Sequence, residues 1–220
     1  MTRSRKLNLI YKKLYKSFGP QHWWPGETPF EVMVGAILTQ NTNWQNVERA
    51  ISNLKKARVL EARKLYRMPH KSLARLIRPA GYFNIKAKRL KNFLKFYLDS
   101  YGANVRKMRV VGTEALRVQL LSVNGVGQET ADSILLYAIK KPVFVVDAYT
   151  KRFSFRHGLI LEDSDYQVAQ RFFTKNLKSS VQLFNEYHAL IVRLAKEYCL
   201  KSKPRCAVCP LRTDLVRHGQ

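Results

Sequence analysis

The chain is short of cysteine and has no long apolar run. Its 3 cysteines all lie within the last 22 residues, too few and too clustered for the disulfide framework of a secreted protein. No stretch approaches the roughly 18 consecutive apolar residues that a membrane span needs. We therefore expect a protein of the reducing cytoplasm with no membrane contact.

Acidic residues are also scarce. Asp and Glu number 15 against 40 Lys and Arg, giving a formal net charge of +25. A hydrophobic content of 46% with 11% aromatic residues is enough for a packed interior and excludes a disordered basic tail. A folded domain this basic calls for a polyanionic partner, and nucleic acid is favoured over an anionic membrane surface.

The charge is concentrated in one region. Residues 62–98 contain eleven Lys or Arg residues and no acidic residue. A solvated helix face normally mixes both signs, so this run favours a surface that follows phosphates over a merely soluble basic surface.

Helical periodicity dominates the sequence. Residues 30–38 are almost continuously apolar behind Pro29, as expected of a helix buried on most sides. Residues 1–19 repeat apolar positions at helical spacing, which predicts a first helix and not a targeting peptide. The one strand-like run, residues 143–146, has no partner run. The sequence predicts an all-α fold with a lone extended segment.

A Gly-Val-Gly turn separates two predicted helices. Gly125 and Gly127 allow a sharp turn, Val126 plugs it into the core, and a second helix opens at Thr130. Bare N–H groups at such a turn bind phosphate without regard to base sequence. The pattern predicts a helix-hairpin-helix.

An apolar extended run then leads to Asp147, at the start of another helix. Asp at this position commonly caps a helix. The cap and a chemical role are compatible, because a capped, partly buried carboxylate stays ionised and well oriented.

The hairpin followed by a Pro-bearing loop that ends in Val146-Asp147 resembles the HhH-GPD superfamily of DNA glycosylases, which includes endonuclease III. The resemblance implies a two-lobed helical fold with a cleft between the lobes. Residues 27–138 would form one lobe, with the hairpin at about 118–138. Residues 1–26 and 139–220 would form the other, which carries Asp147 and the cysteines. It also implies double-stranded DNA with a damaged base as partner, and a monomer.

The same resemblance identifies residues that contact DNA. Gln40 would enter the gap left by a flipped base, although a buried amide that caps a helix is the alternative. Tyr82 would be a second inserting residue, with plain core packing as its alternative. The predicted DNA-binding set is Gln40, Tyr82, Asn84, Lys86, Gly125, Val126, Gly127 and Thr130.

Asp147 would by resemblance stabilise the cationic sugar as the base leaves. Bifunctional members of the superfamily carry a Schiff-base lysine in the second hairpin helix, where this chain has Glu129. Lys151 is a possible substitute but lies on another element. The sequence therefore predicts base removal without strand cleavage.

The expected lesion is an alkylated purine. Trp23, Trp24, Pro25, Trp44 and Glu129 resemble the pocket of the MagIII-type 3-methyladenine glycosylase branch. Aromatic rings favour a cationic methylated purine through stacking and cation–π attraction. Two alternatives stay open: Trp23 and Trp24 could anchor the first helix to the core, and a flat pocket would suit deaminated bases.

The cysteines have the spacing Cys199-x6-Cys206-x2-Cys209, which resembles the first three ligands of the endonuclease III iron–sulfur loop. Leu215 stands where the fourth cysteine would fall, so a [4Fe-4S] cluster would need Asp214, His218 or solvent as its last ligand. Zinc with three cysteines and His218 and a loop without metal are the other possibilities.

Competing functions remain at this point. They are an HhH glycosylase for uracil, hypoxanthine or mismatched thymine, a bifunctional endonuclease III-type lyase, and a non-catalytic hairpin module that only binds DNA. Asp147 argues against the last, because a pure binding module does not need an extended segment that presents a carboxylate.

Overall fold

The computed structural model describes residues 1–214, whose regular secondary structure is entirely helical, with no β-strand among them. This confirms the predicted all-α class. The helices are α1 (Arg3–Phe18), α2 (Pro29–Leu38), α3 (Trp44–Lys56), α4 (Ala62–Arg67), α5 (His70–Leu76), α6 (Phe83–Tyr101), α7 (Val105–Val110), α8 (Thr113–Leu121), α9 (Gln128–Ser133), α10 (Ala148–Arg156), α11 (Tyr166–Asn176) and α12 (Val181–Glu197).

The chain divides into two compact units. The central unit runs from Trp24 to Lys141 and contains α2–α9. The terminal unit combines Met1–Trp23 with the chain from Pro142 onwards and contains α1 and α10–α12. No helix within residues 1–214 is both long and apolar enough to cross a membrane.

The helix α2 is almost fully buried in the central unit. Thr28 caps it by accepting a hydrogen bond from the Glu31 N–H, and Pro29 occupies its first turn. Every residue from Glu31 to Leu38 is buried. The continuous apolar run in the sequence therefore reflects a helix enclosed on all sides by its neighbours.

A π-helical turn, Ile134–Ile139, continues directly from α9. All six of its residues are buried. An apolar run of this kind predicts burial but does not reveal the wider helical turn, because periodicity cannot separate a π turn from an α-helix over one turn. Lys140, in the left-handed region, ends the segment.

In the terminal unit, α1 buries Leu7, Ile10 and Leu14, which confirms the amphipathic helix predicted at the start of the chain. The Tyr187 hydroxyl of α12 donates to the Leu7 carbonyl at 3.0 Å, which ties the two helices together.

The extended segment Val143–Val146 lies buried in the terminal unit and forms no β-ladder. Side chains of α11 take the place of a partner strand. Gln170 donates to the Phe144 carbonyl at 2.7 Å, and the Val146 N–H donates to the Tyr166 hydroxyl at 3.3 Å. The Phe144 ring stacks on Phe173 with ring centroids 4.1 Å apart. These contacts hold the segment that leads to Asp147.

Candidate functional site

The hairpin predicted from the sequence joins α8 to α9. Val126 is buried, and its N–H donates to the Val123 carbonyl at 2.9 Å, which closes the turn. The two helices are also held by an ion pair, in which the Arg117 guanidinium donates to both carboxylate oxygens of the fully buried Asp132, at 2.7 and 3.0 Å.

The two glycines of the hairpin differ in their surroundings. Gly125 has a φ of 94°, and a Cβ there would overlap the side chain of Arg89. Gly127 is the exposed N-cap of α9, has an extended backbone, and has open space where a Cβ would lie. Gly125 therefore shapes the turn, whereas Gly127 leaves the first N–H groups of α9 uncovered.

Gln40 follows α2 and is half-buried. Its amide nitrogen donates to the Gly125 carbonyl at 2.9 Å and to the Thr130 hydroxyl at 3.0 Å, and its carbonyl accepts from Arg89 at 2.5 Å. Gln40 therefore bridges Arg89, the hairpin turn and the second hairpin helix, and both of its predicted roles, insertion beside a flipped base and capping of a helix, stay predictions.

Tyr82 is the most prominent exposed aromatic side chain of the central unit. It is 69% exposed and has left-handed backbone angles, φ 44° and ψ 33°, at the N-cap of α6. Core packing is excluded for it. Asn84 and Ile85, in the first turn of α6, are also exposed. This turn presents a protruding tip with an aromatic ring at its end.

Lys86 does not lie where the sequence predicts it. The side chain is 1% exposed, and its ammonium donates to the carbonyls of Leu38 and Ala80, both at 2.7 Å. Burial, with a smaller effect from the positive charge of Arg89, lowers the pKa of Lys86 to about 8. The ammonium is therefore hydrogen-bonded inside the central unit and is not exposed to bind phosphate.

The basic run between residues 62 and 98 is mostly at the surface. Eight of its eleven cations are exposed: Arg63, Lys64, Arg67, Lys71, Arg75, Arg78, Lys88 and Lys95. Lys64 and Lys95 pair with flanking Glu61 and Asp99. The remaining six exposed cations lie in a run without acidic residues, a composition that suits a polyanion.

An aromatic cluster forms around Gly35 of α2. The Trp24 ring lies 5.0 Å from Trp44 in an edge-to-face arrangement and 4.9 Å from Tyr137. A Cβ on Gly35 would lie in van der Waals contact with both tryptophans, which shows how closely the two rings pack on this helix. Of the predicted pocket residues, Trp24 and Trp44 are in ring contact, Pro25 is exposed, and Trp23 is the last residue of the first segment of the terminal unit.

Position 129 carries an exposed glutamate in the first turn of α9. Lys151, the substitute considered above, lies on α10 and donates to the Ser164 carbonyl at 2.8 Å. That contact orients its ammonium toward the backbone of its own unit.

Asp147 caps α10 in the terminal unit. Its Oδ1 accepts from the Thr150 N–H at 2.7 Å, and its Oδ2 lies 3.5 Å from Nε2 of the buried His188 on α12. Burial raises the pKa of the Asp147 carboxyl, but His188 and Thr150 outweigh burial, so the net effect lowers the pKa. The carboxylate is ionised and fixed in direction.

His188 and Tyr137 are site residues that sequence reasoning missed. Tyr137 stands in an apolar run and His188 on an apolar helix face, where both residue types are ordinary core. Only the packing of each against a predicted site residue distinguishes it.

The cysteine loop is organised by arginines of α10. Arg156 donates to the Cys199 sulfur at 3.3 Å and to the Leu200 carbonyl at 2.7 Å, and Arg152 donates to the Cys199 carbonyl at 2.7 Å. Burial is the main cause of the raised pKa of the Cys209 thiol.

The ligand set for a cluster is incomplete in the described residues. Within residues 1–214, no three His, Cys, Asp or Glu side chains are grouped as ligands of one metal ion. Asp214, one predicted fourth ligand, pairs with Lys13 at 2.6 Å. Leu215 and His218 lie outside the described residues. A [4Fe-4S] cluster held by Cys199, Cys206 and Cys209 therefore stays a prediction from the sequence, with its fourth ligand open.

Comparison with known proteins supports the resemblance over almost the whole chain. Residues 34–179 match the HhH-GPD superfamily of base excision DNA repair proteins. A Methanocaldococcus jannaschii protein named as a candidate DNA repair glycosylase is 52% identical over 205 residues, covering 92% of both chains.

Solved structures agree. H. pylori 3-methyladenine DNA glycosylase, MagIII, bound to 1,N6-ethenoadenine is 32% identical, with a TM-score of 0.76 over 90% of this chain and 98% of its own. A trapped endonuclease III–DNA covalent intermediate is 21% identical, with a TM-score of 0.83 over 98% and 96%, a likeness of fold. The chain belongs to the HhH-GPD superfamily of base excision DNA repair proteins and has the endonuclease III fold.

Proposed function

We propose that this protein is a monofunctional DNA glycosylase that removes an alkylated purine, such as 3-methyladenine, by hydrolysing its N-glycosidic bond. The observation that carries the proposal is Asp147, an ionised carboxylate held by the Thr150 N–H and by His188. A structural cap needs only the first of these contacts, and a non-catalytic DNA-binding module needs neither.

Asp147 supplies the chemistry. As the base departs, the sugar acquires positive charge at C1′, and a fixed carboxylate stabilises that charge and orients the attacking water. A methylated purine already carries a positive charge and is a good leaving group. The reaction therefore requires no general acid, which agrees with a site built on one carboxylate.

The absence of strand cleavage follows from the residue at position 129. An imine with the sugar requires an amine, and the exposed Glu129 has none to offer. Lys151 is bonded to the Ser164 carbonyl, so its amine is engaged elsewhere.

The aromatic cluster supports recognition of a cationic purine. The ring faces of Trp24 and Trp44 are electron-rich, and a cation over such a face gains about 0.5–2 kcal/mol. Tyr137 packs against Trp24 and limits where that ring can move. The H. pylori relative, whose solved structure holds a modified adenine, gives independent support for a purine lesion.

Double-stranded DNA is the proposed partner. Its phosphates would be met by the exposed cations of residues 62–98 and by the open N–H groups behind Gly127. Opening the base pair costs a few kcal/mol, least for a damaged or mispaired base, and the exposed Tyr82 ring would fill the space that the base leaves.

The test uses end-labelled duplexes with one lesion each: a 3-methyladenine analogue, uracil, hypoxanthine, mismatched thymine or an oxidised pyrimidine. Half of each reaction is treated with hot alkali. We expect breaks at the alkylated purine only after alkali, and none with Asp147→Asn. Breaks without alkali would show lyase chemistry. Breaks at uracil or thymine would show that the substrate is a deaminated or mismatched base. Binding without any break would show that the protein is a non-catalytic DNA-binding module.

A further inference from the structure

One face of α6 carries a polar stripe formed by Lys86, Arg89 and Asn92. These residues are spaced three apart, so their side chains leave the helix on the same side. Lys86 and Arg89 are both hydrogen-bonded to the segment Leu38–Gln40, and Asn92 to the hairpin turn at Asn124. The helix therefore links segments that are far apart in sequence.

Lys86 joins the starts of two loops. Leu38 is the last residue of α2 and directly precedes the Thr39–Gln40 segment, and Ala80 directly precedes Gly81 and Tyr82. The carbonyls of Leu38 and Ala80 both accept from the one ammonium, at 2.7 Å each. Terminal carbonyls of a helix lack intrahelical partners and carry partial negative charge, which a buried cation satisfies.

Arg89 extends the link to the hairpin. Its guanidinium donates to the Gln40 carbonyl at 2.5 Å, and the Gln40 amide donates to the Gly125 carbonyl and the Thr130 hydroxyl. The aliphatic part of Arg89 fills the space over Gly125, where a Cβ would overlap it. Asn92 adds a hydrogen bond to the Asn124 carbonyl at 3.0 Å.

We propose that Lys86 and Arg89 are positioning residues that fix the register between the phosphate-binding hairpin and the two segments that open the base pair. The inference rests on the proposed function, since it assigns Tyr82 and the Gln40 segment to base opening. With the register fixed, a hairpin seated on a phosphate places the Tyr82 ring at a set distance along the duplex. Mobile loops would instead lose conformational entropy at each encounter.

The experiment compares Lys86→Met and Arg89→Met with Lys91→Met. Lys91 is a matched control, because it lies on α6 and also donates to two backbone carbonyls, those of Tyr66 and Met68. All proteins carry Asp147→Asn, so that no base is released during the measurement. The probe is a duplex with one 1,N6-ethenoadenine, whose fluorescence rises when the base leaves the stack, and affinity is measured on the undamaged duplex.

We expect Lys86→Met and Arg89→Met to reduce the equilibrium constant for base opening by about tenfold, because misplacement by about 1 Å costs up to about a hundredfold. Affinity for undamaged duplex should stay within about fivefold, since each change removes at most one partly screened charge. Lys91→Met should leave both quantities unchanged. Unaltered opening in both test variants, or an equal loss in Lys91→Met, would overturn the inference.

Folding and function are separated by design. If thermal melting shows that Lys86→Met does not fold, the half-buried Arg89 still carries the test through Arg89→Met and Arg89→Gln. If the protein with Asp147→Asn alone gives no fluorescence rise, base opening itself is absent. That result overturns the proposed function and the inference with it, whereas a rise that persists in the α6 variants overturns the inference only.

Discussion

At the scale of single residues, Asp147 combines two duties that require the same geometry. One carboxylate oxygen caps α10 and the other faces His188. The cap fixes the direction of the group, and the histidine favours its charged form, so the local fold and the proposed chemistry support each other.

Replacing Asp147 with Asn tests the chemical duty alone. Asn caps helices about as well as Asp, so we expect the unfolding free energy to stay within about 1 kcal/mol. Base release should fall by about a thousandfold, because the charge opposite the developing cation is lost. Single-turnover kinetics on the alkylated duplex give the rate, and anisotropy should show unchanged or tighter binding. Normal turnover would remove Asp147 from the mechanism.

Replacing His188 with Leu should change the pH profile. His188 lowers the pKa of Asp147, and Asp147 acts as the anion, so the rate is lost as the pH falls through that pKa. Without His188 the pKa rises, and the loss begins at a higher pH. The depressed pKa of Asp147 also stabilises the folded state. This contribution is present above the unfolded pKa and is lost as the pH falls through the folded pKa, and it should be smaller in His188→Leu.

The matched control for this change is His157→Leu. His157 is also buried and lies at the C-terminal end of α10, the helix that Asp147 caps. It contacts the Asp214 carbonyl and not Asp147. Rate–pH profiles of the two variants should separate, with an acid limb shifted only in His188→Leu. A shift of equal size in both would point to general destabilisation of the terminal unit.

Sequence reasoning at this scale succeeds where a motif fixes the residue and fails where packing decides. Asp147 and Val126 follow from local patterns. His188 gives no signal, because a histidine on an apolar helix face is usually core. Lys86 is misplaced by the resemblance of its segment to a DNA-inserting loop, since only the folded chain brings two terminal carbonyls to its ammonium.

At the scale of elements, the hairpin was predictable from the sequence, but the different conformations and surroundings of its two glycines were not. Both read as turn residues in the sequence. Only Gly125 has a positive φ, and only Gly125 is packed against another side chain. The wider turn Ile134–Ile139 is equally hidden, and it is the segment that brings Tyr137 to Trp24.

Alanine at each glycine separates folding from binding. Gly125→Ala should lower the unfolding free energy by about 1–2 kcal/mol from backbone strain alone, with displacement of Arg89 in addition. Gly127→Ala should leave the unfolding free energy nearly unchanged but weaken binding to all duplexes alike, because a methyl group partly covers the open N–H groups. Denaturant melts and anisotropy measure the two effects. A loss selective for one sequence would contradict phosphate binding at this turn.

The cysteine loop carries a prediction about metal. Arginine contacts already hold the loop, and the described residues lack a full ligand set. The cysteine spacing predicts a yellow-brown protein with stoichiometric iron and a broad absorbance near about 400 nm. Colourless protein with no iron by elemental analysis would retire the cluster.

At the scale of the whole molecule, the fold class and family were accessible from the sequence because helical periodicity, the hairpin and the segment ending at Asp147 are all local patterns. The grouping of Trp24 with Trp44 followed from resemblance alone. The boundary between the two units falls between the adjacent residues Trp23 and Trp24. It could not be predicted from the sequence, because no local pattern marks that point.

The net charge of +25 predicts strong dependence of binding on salt. Each phosphate contact releases condensed counterions, so affinity for undamaged duplex should fall by about a thousandfold or more between about 50 and about 200 mM salt. Titrations at several salt concentrations give the slope. Its magnitude should decrease when exposed cations such as Arg63 and Arg67 are replaced by Gln, and a flat response would contradict a phosphate-following surface.

The cap at α10 also has a consequence for a cell. Because Asn preserves the contact with the Thr150 N–H, an Asp147→Asn allele would encode a stable protein that resists proteolytic clearance. If it engages lesions as tightly as the parent, it would occupy damaged sites without processing them and shield them from other repair enzymes. Such an allele would be more harmful than deletion of the gene, and its toxicity would increase with expression level.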